Sequence, residues 1–390
     1  MEQALRFVEA IHYQTAHVIH VGIRKGLIHS ISDVDEIVRG NPEIKVVVPI
    51  LAPGLVDLQV NGFQGIDFNA PDLTGALVRK VSREMLSIGV SKYYPTLITG
   101  PIERISASLK ILAGVGEDPD AASLGGIHLE GPFISPEEGP RGAHPEDHCL
   151  KPDPDLVKKW QEEAEGKIRI ITLAPELPGS AELIKTCLDL GMVVGIGHTA
   201  ASGEDIRRAV DAGATLSTHL GNGAHAVLPR HPNYIWEQLA EDGLWASMIA
   251  DGFHLSDSVL KVFARNKGQK GILVSDSMCY AGMEPGCYDS PAAGRVCLTD
   301  EGKLHIEGKP ELLAGSASTL PRAVRRMTRL IDFPEAWDMG SVNPARLMEP
   351  DLPLGLTVGA PADLVFLQPL KDRMEISGVS KRGLPLELKI

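Results

Sequence analysis

A chain of 390 residues with 43% hydrophobic and 23% charged side chains can bury a large core, so it reads as a globular protein with one big domain and a small one. The formal net charge of −13 opposes broad nucleic-acid binding, which needs a basic face to neutralise phosphates. The longest apolar run, VVVPILAPGLV at 46–56, is too short for a bilayer and carries two prolines, and no basic segment leads into an apolar one at the amino end. Five cysteines without CxxC spacing, in a chain large enough to fold without staples, point to the cytoplasm.

In chain order, HVIHVGIRKGLIHSISDV (17–34) shows two short β-type runs separated by a turn-like Arg-Lys-Gly. Runs of the same kind return near the carboxyl end in GAPADLVFLQPLKDRMEISGVSKRGLPLEL (359–388). The two ends are expected to pair, residues 1–50 with 355–390, into a small β-sandwich domain. Between them, apolar runs recur with helix-compatible segments in between: ILAPGLVDLQV, VSKYYPTLIT, SLGGIHLEGP, IRIITLAPEL, MVVGIGHT, ATLSTHLGN, WASMIADGFH and KGILVSDSM. Alternating strands and helices imply parallel crossovers, and near-continuous apolar strands imply burial on both faces. Eight such units predict an α/β fold of the (β/α)8 TIM-barrel type over residues 51–354.

Polar residues sit near the carboxyl end of each run: Gln59 and Asn61, Thr96, Glu130, Glu176, His198, His219, Asp251 and His254, and Asp276. Active sites of such barrels lie at the carboxyl ends of the strands, so these residues converge on one mouth. Glu130, His198 and His219 supply one oxygen and two imidazole nitrogens, a ligand set suited to one divalent ion, zinc first, with iron(II) or manganese(II) as alternatives. Three protein ligands leave a position for water, which a catalytic site needs. The bland readings are hydrogen-bonded core histidines and a carboxylate paired with a neighbouring cation. His128 shares a strand face with Glu130 but lies deeper, as core or as support behind the ligands. Asp276 is the candidate general base beside an activated water, or else a helix N-cap.

The segments PGLVDLQVNGFQG, YYPTLIT, GIHLEGPF with its downstream RGAH, TLAPE, GHTAA, THLGN, IADGFHL, LVSDSMCYAG and GLTVGAPADLV occur in this order over nearly the whole chain. Together they resemble the N-acetylglucosamine-6-phosphate deacetylase family of the amidohydrolase superfamily. The first strand reads Asp57-Leu58-Gln59-Val60-Asn61 where other members of the superfamily carry His-x-His, which favours a single metal and leaves Gln59 and Asn61 as possible contributors to the site. The resemblance implies Glu130, His198 and His219 as metal ligands, Asp276 as acid/base and His144 as the group that binds and polarises the acetamido carbonyl. It implies His254, Asn222 and Gly223 as substrate-holding positions, and Arg230 as an arginine that reaches the sugar phosphate from the neighbouring subunit of a homodimer. The implied reaction is hydrolysis of the N-acetyl group of N-acetylglucosamine 6-phosphate or a close amino-sugar relative. The sequence LGNGAHAVLPRHPN after His219 departs from the family pattern, which keeps open a deacylase of an unphosphorylated N-acyl amine. A sugar-binding protein without activity is the third reading, and the intact Glu130, His198, His219 and Asp276 oppose it.

Overall fold

The computed structural model of the chain describes residues 6–34, 48–116, 118–290, 294–370 and 373–386. Three short strands open it: β1 (Arg6–His12), β2 (Val18–Arg24) and β3 (Leu27–Asp33). Lys25 and Gly26 both have positive φ, 53° and 78°, which is the backbone that a two-residue antiparallel hairpin demands. β4 (Ile50–Pro53) runs parallel to β1 and passes through the single residue Gly54 into β5 (Leu55–Val60), the first strand of the barrel. A Cβ at Gly54 would lie 2.3 Å from the Ser91 hydroxyl, so only glycine fits this junction.

β5 is buried at every position, as expected of a strand covered on both faces. After the small hairpin of β6 (Gly62–Phe63) and β7 (Ile66–Asp67), helices and parallel strands alternate. They run α1 (Gly75–Ser87), β8 (Val90–Ile98), α2 (Ile102–Ala113), β9 (Ile127–Glu130), α3 (Pro154–Glu163), β10 (Ile168–Leu173), α4 (Ser180–Asp189) and β11 (Val193–Ile196). Then follow α5 (Gly203–Ala212), β12 (Leu216–Ser217), α6 (Tyr234–Ala240), β13 (Trp245–Ile249), α7 (Asp257–Lys267) and β14 (Gly271–Val274). The helices begin where local chemistry satisfies their first N–H groups: Thr74, Asp153, Ser202, Asn233 and Ser256 all accept there, and Ser202 with Asp205 forms a capping box. β5, β8, β9, β10, β11, β12, β13 and β14 hydrogen-bond in that order. The ring closes just beyond β14, where Asp276 N–H donates to Gln59 O at 3.0 Å and Asn61 N–H to Ser277 O at 2.9 Å. The eight runs named from the sequence are the eight barrel strands, so the fold is the (β/α)8 barrel.

Between the last strand and its helix stands a four-stranded antiparallel sheet that periodicity did not reveal: β15 (Gly286–Ser290), β16 (Gly294–Leu298), β17 (Leu304–Ile306) and β18 (Lys309–Leu313). It packs on its own small core of Tyr280, Val296, Leu298, Leu304 and Ala317. Cys287 and Cys297 lie directly opposite each other on β15 and β16 and form a disulfide, so the reading of a chain without staples is corrected at this hairpin. Cys149, Cys187 and Cys279 are free thiols. The chain finishes with α8 (Leu320–Met327), α9 (Phe333–Met339), α10 (Val342–Met348) and the strands β19 (Leu364–Leu370), β20 (Arg373–Lys381) and β21 (Leu384–Leu386).

The terminal β domain expected as a sandwich takes, among the described residues, the form of one seven-stranded sheet in the order β21-β20-β19-β4-β1-β2-β3. β4 lies between β1 and β19, so amino- and carboxyl-terminal strands share backbone hydrogen bonds instead of facing each other across two layers. No helix among the described residues is long and apolar enough to cross a membrane.

Candidate active site

His198, His219 and Asp276 each lie two residues beyond the last residue of a barrel strand, Ile196, Ser217 and Val274 respectively. All three adopt the left-handed backbone conformation, with φ of 50°, 31° and 47°. Such conformations cost on the order of 1–3 kcal/mol for a residue with a side chain, and they cluster where function fixes a side-chain direction. Here they accompany side chains gathered over one end of the barrel. Glu130, the last residue of β9, joins them and is buried.

The three candidate ligand atoms form a tight triangle. Oε1 of Glu130 lies 2.8 Å from Nε2 of His219 and 3.2 Å from Nε2 of His198, and the two nitrogens are 3.1 Å apart. Metal bonds of 2.0–2.1 Å in tetrahedral geometry set neighbouring ligand atoms about 3.3 Å apart, close to these edges. Nδ1 of His198 sits 2.8 Å from the carbonyl of Pro140, which can only accept, so Nδ1 carries the ring proton and Nε2 turns a lone pair into the triangle. An imidazole lone pair and a carboxylate oxygen at these distances call for a cation between them. Burial alone would raise the Glu130 carboxyl, but the imidazoles of His198 and His219 that face it hold it well below the usual range, so it stays an anion. Burial would lower His219, yet the hydrogen bond and charge of Glu130 raise it to about 9.

His144 arrives on the loop after β9 and is buried, its Nε2 3.3 Å from Nε2 of His198 with the two rings edge to face. Glu130, His144 and His198 also lie close enough to share an ion. His219 is the better third ligand, because it approaches both Glu130 and His198 more closely than His144 approaches His198. Burial and then the charge of His198 push the His144 imidazole down to about 3, which keeps it neutral.

The polar pair on the first strand orients the two carboxylates. Gln59 Nε2 donates to Glu130 Oε1 at 2.7 Å, and Asn61 Nδ2 donates to Asp276 Oδ1 at 2.7 Å. Asp276 precedes no helix, so the N-cap reading falls away. Burial, followed by the charge of Glu130, pushes its carboxyl up to about 6, within the range useful for proton transfer near neutrality. His128 lies beneath, its Nδ1 3.0 Å from Leu58 O and its Nε2 2.8 Å from the Thr172 hydroxyl, which in turn meets Thr218. It belongs to the barrel interior.

The remaining residues named from the sequence divide. Asn222 and Gly223 lie beside the triangle: Asn222 N–H donates to His219 O, and a Cβ on Gly223 would come within 2.7 Å of His198 Nδ1. His254 is held by Asp251, which accepts from its backbone N–H at 2.9 Å and lies 2.6 Å from its Nδ1. Arg230 stands exposed on the loop before α6 and, among the described residues, makes no contact with these groups. Two supports escaped the sequence. The Pro140 carbonyl orients His198 through backbone alone and leaves no side-chain signal. Glu176, visible only as a polar strand end, accepts from the Thr199 hydroxyl and the Ala200 N–H, and so pins the turn that carries His198.

Comparison with known proteins gives this geometry its relatives. Residues 50–385 match the amidohydrolase family. The N-acetylglucosamine-6-phosphate deacetylase of Bos taurus is 35% identical over 333 residues, which cover 82% of this chain and 79% of that protein. Its counterpart from Bacillus subtilis (strain 168) is 32% identical over 362 residues, 89% of this chain and 88% of that protein. The crystal structure of the N-acetyl-D-glucosamine-6-phosphate deacetylase of Mycobacterium smegmatis matches with a TM-score of 0.82 at 26% identity, over 98% of this chain and 100% of that one. The chain belongs to the amidohydrolase family, in its N-acetylglucosamine-6-phosphate deacetylase branch.

Proposed function

We propose that this protein is a hydrolase that removes the N-acetyl group of N-acetylglucosamine 6-phosphate, giving acetate and glucosamine 6-phosphate. The observation that carries the reading is the triangle of Glu130, His198 and His219, with Asp276 oriented beside it by Asn61. Glu130, His198 and His219 would hold one divalent ion, zinc by the preference of this oxygen-nitrogen set. When bound, the ion supplies a Lewis acid for the amide carbonyl and lowers the proton affinity of a water. Asp276 takes the proton from the attacking water and returns it to the departing amine nitrogen, so the carboxyl ends as it began. Neutral His144 hydrogen-bonds the acetamido group, and the Asp251-held His254 takes a sugar hydroxyl.

The phosphate falls to the backbone N–H groups at Asn222 and Gly223 and to Arg230 of the neighbouring subunit in a homodimer. Residues 1–50 with 355–390 form the small domain and 51–354 the catalytic one, and the protein works in the cytoplasm. Acetate release from N-acetylglucosamine 6-phosphate, N-acetylgalactosamine 6-phosphate and unphosphorylated N-acetylglucosamine, measured with metal content, tests the reading. Preference for the unphosphorylated sugar would replace it with a deacylase of a neutral N-acyl amine, a reading that the exposed position of Arg230 favours within a single chain.

A further inference from the structure

On α8 and just beyond it the sequence reads RAVRRMTR, four arginines within eight residues of a chain whose net charge is −13. Arg322, Arg325 and Arg329 recur at spacings of three and four, which sets them along one face. Like charges stacked in this way repel unless an anion lies among them. Arg326 pairs with Asp257, and Arg322 donates to the backbone carbonyl of Glu301. Arg325 and Arg329 are exposed and have no ion pair among the described residues.

Two cavities flank this row, and Arg322, Arg325 and Arg329 line both. The larger, about 630 Å³, lies between α8, α9 and the strands β19 and β20, and its other walls are largely apolar: Val324, Phe333, Trp337, Leu367 and Ile376. Its volume falls within the range of small-molecule sites, on the order of 300–1,000 Å³. The smaller, about 310 Å³, adds Arg326 and residues 250–253. Acidic groups face the row from Glu375 in the first cavity and from Glu301 and Asp251 in the second. Asp251 is already engaged by His254.

We propose that the arginine row and the apolar cavity beside it form a binding site for a nucleoside diphosphate, separate from the reaction centre. The row runs from Arg322 on α8 to Arg329 two residues past its end, seven steps that come to about 10 Å at the helical rise of about 1.5 Å, more than one phosphate covers and suited to two in succession. Guanidinium groups are the side chains best matched to phosphate oxygens. Phe333, partly exposed and tilted against Trp337 with ring centroids 5.8 Å apart, offers a nucleobase an aromatic wall of the same cavity.

The experiment is calorimetric titration of the metal-loaded full-length protein with ADP, pyrophosphate and adenosine, with the metal content checked afterwards. ADP should bind saturably at one site per chain and weaken as salt rises, pyrophosphate should bind less tightly, and adenosine should not bind measurably. Arg325→Gln and Arg329→Gln should each weaken ADP by about tenfold, the loss expected of one charge-assisted hydrogen bond, while acetate release and thermal midpoint stay unchanged. Saturating N-acetylglucosamine 6-phosphate should not displace ADP. The proposal fails if ADP does not saturate, if both variants bind it like the unaltered chain, or if the amino-sugar phosphate competes it away. Should Arg325→Gln melt early, Arg329→Gln alone decides, since that side chain is exposed beyond the end of α8.

Discussion

Asp276 and Glu130 are two carboxylates at one mouth to which the proposed reaction gives opposite tasks, and separate amides from the end of the first strand hold them. Asn61 holds Asp276 and Gln59 holds Glu130. Asp276→Asn keeps shape and removes the proposed base, so turnover should fall by about 10²–10⁴-fold with metal content intact, because Asp276 lies outside the proposed ligand triangle. The limb on which activity declines with acidification should also vanish, since it reports protonation of that carboxyl; normal turnover in the variant would leave Asp276 without a catalytic part. Gln59→Leu keeps the volume but takes the donor from Glu130 Oε1. Loss of such an outer partner typically costs about 10–100-fold in metal affinity, which a chelator competition measures. These residues were legible because each is a polar side chain ending an apolar run. Their pairings were not, because Gln59 and Glu130 stand 71 positions apart and only barrel closure brings them together.

Strand ends, rather than strands, carry the chemistry. β11, β12 and β14 each run two residues past their last ladder position into a left-handed residue, and that repeated device aims His198, His219 and Asp276 inward. The strands themselves announce their positions by continuous hydrophobicity, which follows from burial on both faces. The four short strands of 286–313 do not, because one face of that sheet meets solvent and its residues alternate weakly around turns. The turn Gly221–Asn222–Gly223 shows how tightly an element end is built. Gly223 has φ of 57°, and an added Cβ would meet His198 Nδ1 at 2.7 Å and the Pro140 carbonyl at 3.2 Å. Gly223→Ala therefore forces apart the hydrogen bond that orients His198. We expect metal affinity to fall by about 10–100-fold with the thermal midpoint of the metal-free protein lowered only slightly, the backbone penalty being about 1 kcal/mol. Unaltered metal affinity would show that the turn yields without moving the ring.

At the scale of the whole molecule the open matter is how an acidic chain holds a phosphorylated sugar. In the proposed reaction the triangle, Asp276 and His144 would serve the amide, but the described residues around them include no arginine or lysine with a contact to the group. Arg230 is exposed on the loop before α6, beside Val227 at 86% exposure and Trp236 at 48%, so the segment is shaped to meet another surface. If that surface is a second copy related by a two-fold axis, each site combines Asp276 of one chain with Arg230 of the other. Arg230→Ala should then raise KM for N-acetylglucosamine 6-phosphate by about 10–100-fold, the worth of a charge-assisted hydrogen bond, and leave the unphosphorylated sugar untouched. Mixing Arg230→Ala chains with Asp276→Asn chains should restore about a quarter of the sites, because half of the dimers are hybrids and one of the two sites in each hybrid receives both intact residues. A mixture no more active than its better parent, with subunit exchange verified by mass, would assign Arg230 to its own chain or to no phosphate at all.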